Sequence, residues 1–148
     1  MLRWAFYAHR VPMSILATLL LPDPKIRNAV RACALLAFAG IVIAGSVPGA
    51  RAEVGHYASG VVLHSLAYAF LTALWFLASV GTPVQRALKA MLVVALMGAI
   101  DEGVQSFLPF RSGDVRDWMI DVTAATFAAT VLAVLATLAP KAADARRR

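Results

Sequence analysis

The polar residues that could do chemistry in this chain are concentrated between Asp101 and Asp121, in the stretch "DEGVQSFLPFRSGDVRDWMID". Five of the eight acidic residues lie there, together with a glutamine and two arginines. Carboxylates can transfer protons or accept hydrogen bonds, and arginine side chains bind anionic groups. The cluster therefore predicts a site that recognises or transforms a polar group.

The surrounding sequence is typical of a membrane protein. Hydrophobic residues make up 61% of the 148 residues, and the mean hydropathy is +0.75, whereas soluble domains contain about 45–50% apolar residues. Several apolar runs approach the roughly 20 residues needed to cross a bilayer. We therefore expect an all-α fold, an integral membrane four-helix bundle over residues 29–139. Its spans are expected at residues 30–47, at 59–80, from 84 to the turn at Pro109, and at 117–139.

The third predicted span contains the first acids of the cluster. Its uninterrupted apolar part runs only from Ala90 to Ile100, which as a helix is about 16 Å long, roughly half the hydrocarbon thickness. The helix must therefore continue through "DEGVQSFLPF" if it is to span. This continuation predicts that Asp101, Glu102 and Gln105 lie within the membrane layer.

The distribution of Lys and Arg predicts the orientation. The chain has a net charge of +6, and basic residues are in excess before the first span, between the second and third, and after the fourth. Because basic connections favour the cytoplasmic side, both termini are expected there. Residues 1–28 are expected to form an amphipathic interfacial segment anchored by Trp4 and Tyr7, and residues 140–148 a basic cytoplasmic tail after a helix that ends at Pro140.

Helical spacing brings polar side chains of three spans together. Three pairs, each four residues apart, share one face of their helices: Asp101 with Gln105, His64 with Tyr68, and Asp117 with Asp121. With both termini in the cytoplasm, the second and fourth spans start on the extracytoplasmic side. His64 and Asp121 lie at similar distances from these starts and could meet. Gly98 would let another helix approach the third span. An ionisable residue in a span costs about 2.5–3.5 kcal/mol and usually faces a bundle interior or a water-filled cavity. The pattern therefore predicts one shared, outward-facing polar pocket.

Other interpretations of the same residues stay open. Arg111 and Arg116 could supply countercharge, bind an anionic head group or only anchor the interface. Asp101 and Glu102 could each take part in a structural ion pair with a basic residue or lie at a helix end, and Asp117 could cap the fourth helix. Asp121 and His64 could serve only as hydrogen-bond partners between helices.

Several function classes are not favoured. The basic residues form no patch interleaved with aromatics, so nucleic-acid binding is not predicted. Nucleotide-binding, redox, metalloprotease and serine-hydrolase motifs are absent from the sequence. The lone Cys33 cannot form an internal disulfide. No cofactor is predicted and no metal is assigned, although His64 with carboxylates of the third and fourth spans is a conceivable ligand set.

The cluster resembles the signature of VanZ-like membrane proteins. The matching residues are Asp101, Glu102, Gln105, Phe107, Arg111 and Asp117. "GSVPG" and "LHSLAYAFL", the latter with His64 and Tyr68, resemble two further family elements, and the resemblance extends over residues 35–138. Two positions depart from the pattern: Val61 and Val62 stand where Lys is often found, and Asp121 adds an acid where Asn is more usual.

The resemblance implies a four-span protein of the bacterial cytoplasmic membrane and a link to glycopeptide resistance of the teicoplanin kind, without an established reaction. Our first hypothesis is recognition of an envelope lipid, lipid-linked or lipoglycopeptide head group, with membrane lipids as partners. Its ligand-binding residues would be Tyr68, Gln105, Arg111, Arg116, Asp117 and Asp121. A second is an acid–base hydrolase or transferase using Asp101, Glu102 and His64, and a third is a proton-linked transporter.

Overall fold

The computed structural model describes residues 23–145, with side chains described for residues 23–50 and 52–138. Its regular elements are α-helices: α1 (Pro24–Gly45), α2 (Ala50–Gly55), α3 (Gly60–Ala78), α4 (Pro83–Ser106) and α5 (Val115–Ala145). No strand occurs among the described residues, and the predicted all-α class is confirmed. Of the predicted interfacial segment, residues 1–22 lie outside the described residues, whereas 24–28 belong to α1.

Local sequence signals set the starts of the long helices. α1 begins at Pro24, whose fixed φ suits the first helical turn, and the Asp23 side chain accepts a hydrogen bond of 2.8 Å from the Lys25 N–H. α4 begins after a capping box, in which the side chains of Thr82 and Gln85 each accept from the other's backbone N–H. The Asp23 cap and Pro24 explain why α1 starts before the expected residue 30.

Three helices are long and apolar enough to cross a membrane: α1, α3 and the Val115–Leu138 part of α5. They indicate a membrane protein. α4 has 24 residues and carries Arg86, Lys89, Asp101 and Glu102, and it is not one of the three. The structure thus supports part of the expected four-span arrangement.

The ends of the fourth predicted span differ from expectation. α5 begins at Val115, two residues before Asp117, and continues to Ala145 rather than ending at Pro140. Proline removes one backbone donor and crowds the preceding turn. It does not end the helix here, so the expected tail shares residues 140–145 with α5.

α3 is the central helix, in contact with α1, α4 and α5. Two apolar clusters fill the space between α3, α4 and α5: Phe76, Ala87, Ala90 and Ala129 in one, and Tyr68, Leu71, Val94, Met97 and Ala125 in the other. α1 contributes one fully buried side chain, Ala34. The polar site therefore rests on a core of three helices, with α1 along one side.

The close approach of α4 and α5 depends on Gly98. A Cβ atom there would lie 2.9 Å from Asp121 Oδ2 and 3.1 Å from Trp118 Cδ1. The Trp118 indole N–H donates to the Ala95 carbonyl at 2.9 Å, which fixes that ring against α4. The expectation that Gly98 admits another helix is confirmed.

Gly98→Ala is expected to lower the free energy of unfolding by about 1–3 kcal/mol, because overpacking forces neighbouring groups to shift. Gly103→Ala on the same helix is the control, since a Cβ there has no atom within 4 Å; we expect it to be neutral or stabilising by up to about 1 kcal/mol. Thermal unfolding in detergent, followed by tryptophan fluorescence, measures both. Equal midpoints for the two variants would contradict the contact.

Candidate functional site

The polar residues of α4 and α5 are buried where these helices meet α3. Asp101 is 2% exposed and Asp121 is fully buried, and Glu102, Gln105 and Asp117 are also buried. α4 continues as one helix through Ser106, as the short apolar run predicted. The helix therefore carries its acids into the interior of the structure.

His64 joins α3 to α5. Its Nδ1 lies 2.9 Å from Asp121 Oδ1, and its Nε2 lies 3.8 Å from Asp117 Oδ2. Both carboxylates reach one imidazole because they are four residues apart on one helix face. The predicted meeting of His64 and Asp121 is confirmed as a contact, and its functional role stays a prediction.

Tyr68 joins α3 to α4. Its hydroxyl donates a hydrogen bond of 3.0 Å to Asp101 Oδ2. The His64 and Tyr68 rings are stacked, with centroids 5.9 Å apart and an interplanar angle of 2°. The two aromatic side chains, one helical turn apart, thus hold carboxylates of two different helices in one cluster.

Glu102 fixes the loop between α4 and α5. Its Oε2 accepts a hydrogen bond of 2.6 Å from the Asp114 N–H, and Asp114 Oδ1 accepts one of 2.8 Å from the Arg116 N–H. Asp114 therefore caps the start of α5, and the idea that Asp117 is the N-cap is wrong, because Asp117 lies inside the first turn. Its carboxylate points to His64 instead.

Arg111, in the loop before α5, and Arg116, in the first turn of α5, have different surroundings. Arg111 is half-buried, donating from Nη2 to Gln105 Oε1 and from Nη1 to the Gly45 carbonyl at 3.4 Å. Arg116 is exposed. The structure thus brings Arg111, and not the Arg116 side chain, to the predicted site.

A cavity of about 280 Å³ lies beside the cluster. Its polar lining residues are His64, Tyr68, Asp101, Gln105 and Arg111. Its apolar wall comes from α1, α2 and α3 and includes Ile41, Ala44, Val54, Leu63 and Ala67. Glu102, Asp117 and Asp121 belong to the adjacent cluster and do not line this space. The cavity is therefore amphipathic.

Sequence reasoning missed the apolar wall, in particular the contribution of α2. Ala50 and Val54, four residues apart in "ARAEVG", both line the cavity. That spacing was visible in the sequence, but six residues give too short a pattern to predict a helix. Only the position of α2 against α1 and α3 shows its role.

Three carboxylate oxygens in the cluster are buried without a hydrogen-bond partner: Asp101 Oδ1, Glu102 Oε1 and Asp121 Oδ2. The Nε atom of Arg111 is also buried without a hydrogen-bond partner. Buried polar atoms are normally satisfied, because leaving one unpaired costs about 1–3 kcal/mol, and more for charged groups. The site thus offers acceptors for protons, donors or cations, and one donor for an anion.

No protein-family model, no curated protein and no solved structure matches this chain in comparisons with known proteins.

Proposed function

We propose that this chain is a VanZ-like multi-pass membrane protein that binds the head group and adjoining chain of a cell-envelope amphiphile. The amphipathic cavity is the observation that carries this proposal. Its wall of Ile41, Val54 and Leu63 suits an apolar chain, and Gln105 and Arg111 suit a polar group. Ligand sites commonly combine a mostly apolar lining with a few polar groups that set orientation.

The proposal places all four long helices in the bacterial cytoplasmic membrane, with both termini in the cytoplasm. The outer face of α4 supports this placement. Leu88, Leu92 and Leu96, spaced by four, are exposed by 53%, 72% and 62%. Such a stripe suits contact with lipid, while the charged residues Arg86, Asp101 and Glu102 of the same helix are buried.

The polar end of the cavity favours an anionic ligand that also carries a hydrogen-bond donor. Arg111 is held by Gln105 and the Gly45 carbonyl, so less conformational entropy is lost when it binds a phosphate or carboxylate. Asp101 Oδ1, which has no partner, can accept from a hydroxyl, amide or ammonium group. Lipid-linked and lipoglycopeptide head groups, including those of the teicoplanin kind, combine these features.

Arg111→Gln is expected to weaken binding of an anionic amphiphile about tenfold or more, since a charge-assisted hydrogen bond is worth about 1.5–3 kcal/mol. Arg116→Gln is the matched control: it removes the same charge five residues further along, in the first turn of α5 and outside the cavity. Native mass spectrometry of the purified protein, titrated with an anionic phospholipid and separately with a lipoglycopeptide, gives both affinities. Equal affinities for the two variants would contradict the proposed pocket.

A second candidate function is acid–base catalysis on the bound amphiphile. The observation that favours it is the His64–Asp121 contact at the cavity wall, because a carboxylate bonded to one ring nitrogen orients an imidazole for proton transfer. Incubating purified protein with envelope lipid extract tests it by mass spectrometry of products. Conversion lost in His64→Gln, with lipid binding retained, would support an enzyme; unchanged lipids with wild-type protein would leave only binding.

A further inference from the structure

The cluster beside the cavity brings together three possible metal ligands from three helices. One ring nitrogen of His64, one carboxylate oxygen of Glu102 and one of Asp121 all lie within 4.8 Å of one another. The residues belong to α3, α4 and α5, the helices that form the core. The ligand set therefore connects the three helices that form the core.

The carboxylates of this set are only partly paired: Asp121 Oδ1 contacts the His64 ring, and Glu102 Oε2 accepts from the Asp114 N–H. Glu102 is 9% exposed and Asp121 is fully buried, and each has one buried oxygen without a hydrogen bond. Among the described residues, no Lys or Arg forms an ion pair with Asp101, Glu102 or Asp121. Burying carboxylates without full pairing is unfavourable, so the cluster favours uptake of protons, on His64 or on the carboxylates, or uptake of a cation.

We propose that His64, Glu102 and Asp121 bind a divalent transition-metal ion, with Zn²⁺ as the probe. A ligand set of one imidazole nitrogen and carboxylate oxygens suits ions such as Zn²⁺, Mn²⁺ or Fe²⁺. It suits Ca²⁺ and Mg²⁺ less well, because these ions prefer oxygen ligands only. Zn²⁺ ligands at about 2.0–2.2 Å in tetrahedral geometry are about 3.4 Å apart. The ligand atoms of His64, Glu102 and Asp121 now lie within 4.8 Å of one another, so small side-chain rotations would bring them to this distance.

The ion would sit at the wall of the cavity, because His64 lines that space and also belongs to the ligand set. Three protein ligands leave at least one coordination position for water or another group. Asp117, whose Oδ2 lies 3.8 Å from His64 Nε2, adds further negative charge next to the ion. The site does not depend on the identity of the amphiphile, and it could be present without one.

Metal binding to tag-free, chelator-stripped, full-length protein in detergent tests the proposal. Equilibrium dialysis against Zn²⁺ with elemental analysis should give one ion per chain. Glu102→Gln and Asp121→Asn, both close in shape to the natural residues, should weaken binding at least about tenfold, given that even outer partners of metal ligands change affinity about 10–100-fold. Glu53→Gln, an exposed acid on α2, should leave it unchanged.

Other outcomes overturn the proposal. Absence of stoichiometric Zn²⁺ binding by wild-type protein would mean that protons satisfy the cluster. Equal affinity in the Glu102, Asp121 and Glu53 variants would place any bound ion elsewhere. Co²⁺ substitution provides a second measurement that does not need a variant to fold: its absorption spectrum should indicate a low-coordinate nitrogen and oxygen site, and the spectrum of hexa-aqua Co²⁺ would count against the cluster.

Discussion

Replacing Arg86 by methionine is expected to lower the free energy of unfolding by about 3 kcal/mol, through lost charge-assisted hydrogen bonds and a cation–π contact. Arg86 is 3% exposed, and its Nε and Nη2 donate to the Phe76 carbonyl at 3.1 and 3.0 Å. Its guanidinium carbon also lies 4.3 Å from the centroid of the Phe76 ring. The side chain therefore joins the start of α4 to the last turn of α3, where helix carbonyls lack intrahelical donors.

Two companion variants separate these contributions. Arg86→Lys keeps the charge but loses the planar pair of donors. Its free energy of unfolding should therefore lie between those of Arg86→Met and the wild type. Lys89→Met removes a neighbouring exposed cation that donates to the Val80 carbonyl at 2.9 Å, and should cost less than about 1 kcal/mol. Thermal unfolding in one detergent measures all three. A loss with Lys89→Met as large as that with Arg86→Met would indicate a general charge effect.

The role of Arg86 could not be predicted from sequence. Arg86 and Lys89 together predicted a cytoplasmic connection, and nothing in their spacing distinguished a buried arginine from an exposed lysine. The distinction depends on the turn between α3 and α4, which returns Arg86 to a carbonyl ten residues earlier in the chain. Such contacts depend on tertiary geometry and not on periodicity.

The cluster itself was largely predictable, because two simple constraints apply to it. The apolar part of α4 was too short to span, so the helix had to carry Asp101 and Glu102 inward. Spacings of four residues then put His64 with Tyr68 and Asp117 with Asp121 on single helix faces. The first result depends on the hydrocarbon thickness and the second on helical geometry, and neither needs tertiary information.

The surroundings of Arg111 and Arg116 were not predictable in the same way. Arg111 and Arg116 flank the same turn, and either could have faced the pocket. The Glu102 contact with the Asp114 N–H sets the path of this loop, which leaves Arg111 against Gln105 and Arg116 exposed. The same contact moves the start of α5 to Val115, so that Asp114 acts as the cap.

His64→Leu should destabilise the protein by about 3–5 kcal/mol, because removing one partner of a buried polar pair strands the other. The stranded group is Asp121, which is fully buried and whose Oδ1 loses its contact with the His64 ring. The measurement is thermal unfolding in detergent with a chelator present, so that no bound ion contributes. This variant and Arg86→Met should be the most destabilised of those considered.

The double variant His64→Leu with Asp121→Asn identifies the cause. Asp121→Asn alone keeps an oxygen that can accept from the imidazole, so it should cost about 1 kcal/mol. If a stranded carboxylate causes the loss, the double variant should be more stable than His64→Leu alone, because the buried charge is gone. Lowering the pH should likewise bring His64→Leu closer to wild type, since a protonated Asp121 no longer needs compensation. Losses that simply add would assign the effect to packing around His64 instead.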